Sequence, residues 1–141
     1  MCGHVAPTSR KETVVNLALW IVAGLLALVA LVGGITKTFL PKATLAATSG
    51  GSWTAPVPAG LVKALGLAEL AAAAGLILPA ALGIAPIMVP VTAVCWVLLM
   101  IGATLTHYRQ GEPNLVAVNV IYLALAVFVA WGRCGVEAFI N

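Results

Sequence analysis

The chain contains no aspartate, only four glutamates against seven lysines and arginines, and charged residues make up just 8% of its 141 positions. Soluble chains are about a quarter charged, so there are too few polar groups to coat a water-exposed sphere, and an ordinary cytosolic domain is excluded. The two histidines, His4 and His107, cannot form an HExxH pair, no glycine-rich phosphate loop follows a strand pattern, and no nucleophile elbow is present. An intramembrane haem commonly needs paired axial ligands, and only His107 is suitably placed. Cys2, Cys95 and Cys134 make no CxxC pair, so the spacing fits neither a thioredoxin-like motif nor a zinc site. Cys95 falls inside an apolar run and is expected to be a small buried hydrophobe. The cations do not gather on one face with interleaved aromatics, as nucleic-acid binding requires. Instead Arg10 and Lys11, Lys37 and Lys42, Arg109 and Arg133 punctuate apolar blocks, the placement of interfacial anchors.

Hydrophobic residues make up 62% of the chain and the mean hydropathy is +1.13. A spanning helix needs about 20 mainly apolar residues, and four stretches supply them: Val14 to Leu40, Pro58 to Leu78, Ile87 to Thr106 and Leu115 to Trp131. The expected architecture is therefore all-α, one transmembrane four-helix domain over residues 1–141, with short connections imposing antiparallel up-down neighbours. Arg10-Lys11-Glu12 resembles the start of a signal peptide, but the apolar block that follows exceeds the about 7–15 residues of a signal core, so it is read as an uncleaved first span. The segment Pro41 to Val57 is the longest connection and reads as an exposed loop with Trp53 in the headgroup belt, or alternatively as a lid. With an even number of spans both termini share a face. Arg10, Lys11 and Arg133 on that face outweigh Lys42 and Arg109 opposite, once Lys37 and Lys63 are set aside for lying in apolar segments. The positive-inside rule then puts the termini in the cytoplasm.

An ionisable group at mid-bilayer costs roughly 2.5–3.5 kcal/mol on insertion scales, so Glu69 in the second span demands a partner. Helical steps put Val62, Gly66, Ala73, Leu76 and Ala80 on its side. Small residues let a neighbouring helix approach, so Glu69 should face the bundle interior. The same arithmetic puts Asn16, Ala23, Ala27, Ala30, Gly33 and Gly34 around Lys37, stacks Trp96, Met100, Ala103 and Thr104 beneath His107, and aligns Asn119, Tyr122, Ala126, Ala130 and Arg133. Turned inward, these stripes would enclose Lys37, Glu69, His107, Asn119, Tyr122 and Arg133. Glu69 and His107 are the candidate acid–base groups, and Lys37, Asn119, Tyr122 and Arg133 the candidate ligand-binding groups. Lys37 or His107 must reach inward to meet Glu69, which lies about 16 Å down its helix.

Several of these residues sit in motifs. Gly33-Gly34-Ile35-Thr36-Lys37, Gly66-Leu67-Ala68-Glu69-Leu70-Ala71 through Gly75-Leu76-Ile77-Leu78-Pro79, Met100-Ile101-Gly102-Ala103 leading to His107-Tyr108-Arg109, and Ala130-Trp131-Gly132-Arg133 together resemble the DoxX-like family of small four-helix bacterial membrane proteins. The resemblance covers most of the chain. It implies an integral bundle of a bacterial cell membrane and points to Lys37, Glu69, His107 and Arg133. Family members are associated with terminal-oxidase and thiosulfate:quinone oxidoreductase complexes and with oxidative-stress assemblies, and more distant animal relatives with receptor assembly.

Three readings follow. The first is a membrane subunit or assembly factor that brings a redox protein partner to the bilayer, with self-association as a further partner class. The second is a small membrane enzyme or a subunit that binds a quinone or lipid-like ligand, using the intramembrane carboxylate for proton transfer. The third is a proton or solute pathway. No metal site is expected.

Overall fold

A computed structural model describes residues 10–136; Cys2 and His4 lie outside them. Four long helices occupy the four apolar stretches. Helix α1 runs over Arg10–Phe39, a short α2 over Lys42–Ala46, and α3, α4 and α5 over Ala59–Leu82, Met88–Arg109 and Pro113–Trp131. A 3-10 turn at Ser52–Thr54 interrupts the long connection, and a π-helical turn, Gly132–Val136, follows α5. Helices α1, α3 and α4 are each long enough to cross a hydrocarbon layer about 30 Å thick, and α5 does so with the turn that follows it.

Each helix is apolar on all sides, and what distinguishes its faces is size. On α1 the buried positions are Leu19, Ala23, Leu26, Ala30 and Gly34. The opposite face shows Val14, Leu17, Ile21, Leu25, Leu28, Val32 and Ile35 to the surroundings. Both series step by three and four residues, the spacing of one helix face. These outer residues are all large and aliphatic, whereas the inner face intersperses Leu19 and Leu26 with Ala23, Ala30 and Gly34, small residues that let neighbouring backbones approach closely. The interior joins Ala23, Leu26 and Ala30 to Leu76, to Val89, Ala93, Trp96 and Met100, and to Ala126 and Val129. Cys95, by contrast, is exposed. It follows the face of α4 away from its buried neighbour Trp96, so the expectation of burial is overturned by helix phase.

The α1–α3 and α4–α5 pairs make the most extensive contacts, and α3–α4 and α1–α5 contacts close the ring. The turn that sends the chain from α3 to α4 starts later than the sequence suggests, because α3 continues past Pro79 to Leu82. Proline near a helix end removes only one interior bond, and the real stop is Gly83 in the left-handed region at φ 66°. Its amide donates to Ala80 O and that of Ile84 to Pro79 O, the paired bonds of a Schellman cap. Exposed Phe39 and Tyr108 at one end and Trp131 at the other mark the two boundaries where aromatic rings anchor a bundle.

Candidate functional site

Glu69 and Lys37 meet because of a directional property of helices. Side chains tilt toward the N-terminus of their own helix. Helices α1 and α3 are antiparallel, so Lys37, near the end of α1, leans into the bundle, while Glu69 on α3 leans back toward the long loop. Lys37 Nζ donates to both carboxylate oxygens of Glu69, at 2.9 and 2.8 Å. Glycine supplies the room. A Cβ at Gly33 would stand 2.7 Å from Glu69 Oε2, and one at Gly66 would stand 2.9 Å from the Thr38 amide nitrogen and from Lys37 Cβ. The glycines therefore set the α1–α3 separation that the ion pair spans.

The pair borders a cavity of about 430 Å³ in the half of the bundle nearest the long loop. Gly33 and Val29 of α1, Leu65 and Glu69 of α3, a run of α4 from Trp96 to His107, and Asn119 and Tyr122 of α5 line it, with Trp53 of the loop above. Trp53 is half-buried and contributes to the lining. Leu98 and Gly102 line the cavity and are also exposed.

Two buried donors on this lining have no hydrogen-bond partner within the protein: the indole Nε1 of Trp96 and the amide Nδ2 of Asn119. Leaving such groups unpaired costs about 1–3 kcal/mol each, so an acceptor brought within their reach is favoured. The apolar remainder, including Val29, Leu65, Leu99 and Met100, suits a molecule that partitions into lipid.

His107 does not pair with Glu69. Its Nδ1 lies 2.6 Å from Glu112 Oε2, and the cause is again a helix cap. Gly111, at φ 72°, lets the amide of Glu112 donate to His107 O and its own amide to Tyr108 O. That Schellman geometry brings the residue after the glycine onto the residue four before it. A carboxylate only accepts, so against an ionised Glu112 it is Nδ1 that donates. The hydroxyl of Ser52 lies 3.1 Å from Gln110 Oε1 and 3.3 Å from Glu112 Oε1, fastening the Trp53 segment to the α4–α5 turn. Ser52→Ala should therefore raise amide exchange over residues 51–57 by roughly fivefold, the worth of one net hydrogen bond, with α4 unchanged. Equal exchange in both proteins would mean that the contact does not hold the segment.

Five of the six sequence-derived candidates, Lys37, Glu69, His107, Asn119 and Tyr122, line this one cavity. Arg133 does not. It is buried at the opposite end, where NH1 donates to Asn16 Oδ1 at 2.8 Å and the guanidinium lies 5.5 Å from the centre of the Trp20 ring, a cation–π contact. Arg133 lies in the π-helical turn that follows α5, and both of these contacts are to α1. Glu112 and Ser52 were not among the candidates. The glycine four residues after His107, followed by a carboxylate, was the available signal for the first, whereas nothing local marks Ser52.

No curated protein and no solved structure matches the chain. Residues 21–129 match the DoxX-like family, a stretch that contains the Lys37–Glu69 pair, the cavity lining and the His107–Glu112 turn. The chain is an integral membrane protein of four apolar helices, and it belongs to the DoxX-like family.

Proposed function

We propose that this protein is a ligand-binding subunit of the membrane, whose cavity holds a lipid-soluble molecule with carbonyl-type acceptor oxygens, of the quinone class. The observation that carries the reading is that two residues of the cavity lining, Trp96 and Asn119, each hold a buried donor, Nε1 and Nδ2, with no partner in the protein. At about 430 Å³ the cavity falls within the roughly 300–1,000 Å³ typical of small-molecule sites. A quinone, when bound, supplies two-electron carrier chemistry through a ring with two such oxygens. The chain's own residues divide the remaining work. Trp96, Asn119 and Tyr122 orient the oxygens, Glu69 and His107 are the acid–base groups beside them, and Lys37 holds the Glu69 carboxylate in place. The apolar walls and Trp53 exclude water.

This ligand role accords with a subunit that serves a redox or oxidative-stress complex, the setting in which the family is found. In that role a protein partner in the bilayer receives or supplies electrons, and co-purification in mild detergent at native expression identifies it. The excess of Arg10, Lys11 and Arg133 over Lys42 and Arg109 supports termini on the cytoplasmic side of a bacterial membrane; an N-terminal tag cleaved by protease from outside right-side-out vesicles would reverse that orientation.

A short-chain benzoquinone titrated into detergent-solubilised protein should quench tryptophan fluorescence saturably, since Trp53 and Trp96 both line the cavity. Trp96→Phe removes the N–H but keeps an aromatic ring, and should weaken binding by roughly five- to tenfold, the worth of one hydrogen bond. Asn119→Leu should do the same. Linear quenching, identical in all variants, would reflect partition into the micelle and defeat the proposal.

A further inference from the structure

The long-loop face carries a second cavity, of about 330 Å³, between the end of α1, the start of α2 and the first turns of α3. Lys37, Lys42 and Lys63 line it and no acidic side chain does, the rest being apolar or backbone-facing, with Phe39, Leu40 and Val62 among them. Lys37 is neutralised by Glu69. Lys42 and Lys63 form no ion pair among the described residues.

Their position gives this charge a meaning. Lys63 lies about 6 Å below the start of α3, within an otherwise apolar helix, where an ammonium group is costly unless it reaches the interface or meets an anion. Pro41 ends α1 and turns the chain so that α2 brings Lys42 to the same cleft. Phe39, 72% exposed, extends the apolar wall toward the hydrocarbon. The cleft therefore pairs an uncompensated cationic end with an apolar side at the bilayer boundary, the complement of an amphiphilic anion. Basic pockets between spanning helices on the cytoplasmic side receive acidic head groups, and this cleft, on the face opposite the termini, offers the same chemistry.

We propose that this cleft binds the phosphate of an anionic phospholipid between Lys42 and Lys63, with an acyl chain lying along Phe39. The site is distinct from the ligand cavity. It shares only Lys37, whose charge is already spent, so neither proposal depends on the other.

Native mass spectrometry of the detergent-solubilised protein, with equal amounts of dioleoylphosphatidylglycerol and dioleoylphosphatidylcholine added, reads the outcome directly. The wild type should retain the anionic lipid in preference. Lys42→Gln and Lys63→Gln should each lower that retention roughly fivefold, and the double variant roughly 25-fold, from the usual contribution of one basic residue near an anionic surface. Lys42→Arg/Lys63→Arg should preserve the preference, and Lys11→Gln, at the opposite end, should not alter it. Equal retention of the two lipids by the wild type, or undiminished retention in the glutamine double variant, overturns the proposal. Displacement of the lipid by millimolar inorganic phosphate overturns it as well, by marking a site for free anions.

Discussion

Glu69→Gln is expected to destabilise the bundle by roughly 3 kcal/mol, because it leaves the Lys37 ammonium in an apolar wall with half its acceptors and no opposing charge. Lys37 Nζ reaches both Glu69 oxygens within 3 Å, and the Glu69 side chain is 9% exposed against 22% for Lys37. Interhelical hydrogen bonds in membranes average only about 0.6 kcal/mol, so the bonds alone would not produce a large loss. The abandoned charge does. Breaking one side of a buried pair costs about 3–5 kcal/mol, and the low end applies because the lysine has a partial route outward. Lys37→Met/Glu69→Leu removes both charges and keeps similar volumes, a replacement that is often neutral or stabilising. That double variant should return to within about 1 kcal/mol of wild type while losing quinone-dependent quenching. Unfolding followed in mild detergent measures the first quantity and fluorescence titration the second. A single variant as stable as wild type would show that the pair does not govern folding, and a double variant that still binds would remove Glu69 from the site.

Gly66→Val should cost about 3 kcal/mol or prevent assembly, whereas Gly102→Ala should be neutral or slightly stabilising. Both glycines sit in the interior of a spanning helix, and both occur in the stretches that carry the family resemblance. Their surroundings differ. A Cβ at Gly66 would lie 2.5 Å from Thr38 Oγ1 and 2.9 Å from the Thr38 amide nitrogen, whereas a Cβ at Gly102 meets nothing within 4 Å. Backbone cannot yield as a side-chain tip can, so α1 and α3 must separate, and overpacking of that kind costs typically 1–3 kcal/mol or more. At Gly102 the only change is the gain in helix preference, up to about 1 kcal/mol. Reversible unfolding of the two variants side by side provides the comparison. Similar losses at both positions would mean that helix propensity, not the α1–α3 approach, sets the requirement for glycine. A larger side chain at this exposed, cavity-lining position tests whether the ligand enters there: Gly102→Trp should slow ligand association several-fold with little effect on stability.

The inward faces of the spans were legible in advance because size, rather than polarity, separates inside from outside in lipid. Val62, Gly66, Glu69 and Leu76, read as one face from helical steps, are the buried residues of α3. The same reasoning failed for Cys95, where an apolar neighbourhood was taken for burial although both faces of a membrane helix are apolar. Arg133, read as turned inward at the terminal face, is buried there against Asn16 and Trp20 of α1, away from the cavity that the other five candidates share. For the partner of Glu69 two groups were within reach by depth alone. The tilt of antiparallel helices favours Lys37, and the cap at Gly111 commits His107 to Glu112.

Composition and hydrophobic run length by themselves determined the solvent, the number of spans, their order and the inward turn of the one mid-span carboxylate. These follow from local quantities: the cost of charge in hydrocarbon, the length of a helix against the thickness of a bilayer, and the periodicity of small residues. Tertiary structure alone decided which charges meet, that Trp53 lines the cavity, and that Trp96 and Asn119 are left with donors unpaired within the protein. Those outcomes depend on distances between segments that only packing sets. They turn on an ångström or two at Gly33 and Gly66 and on the two turns where glycine reverses the chain.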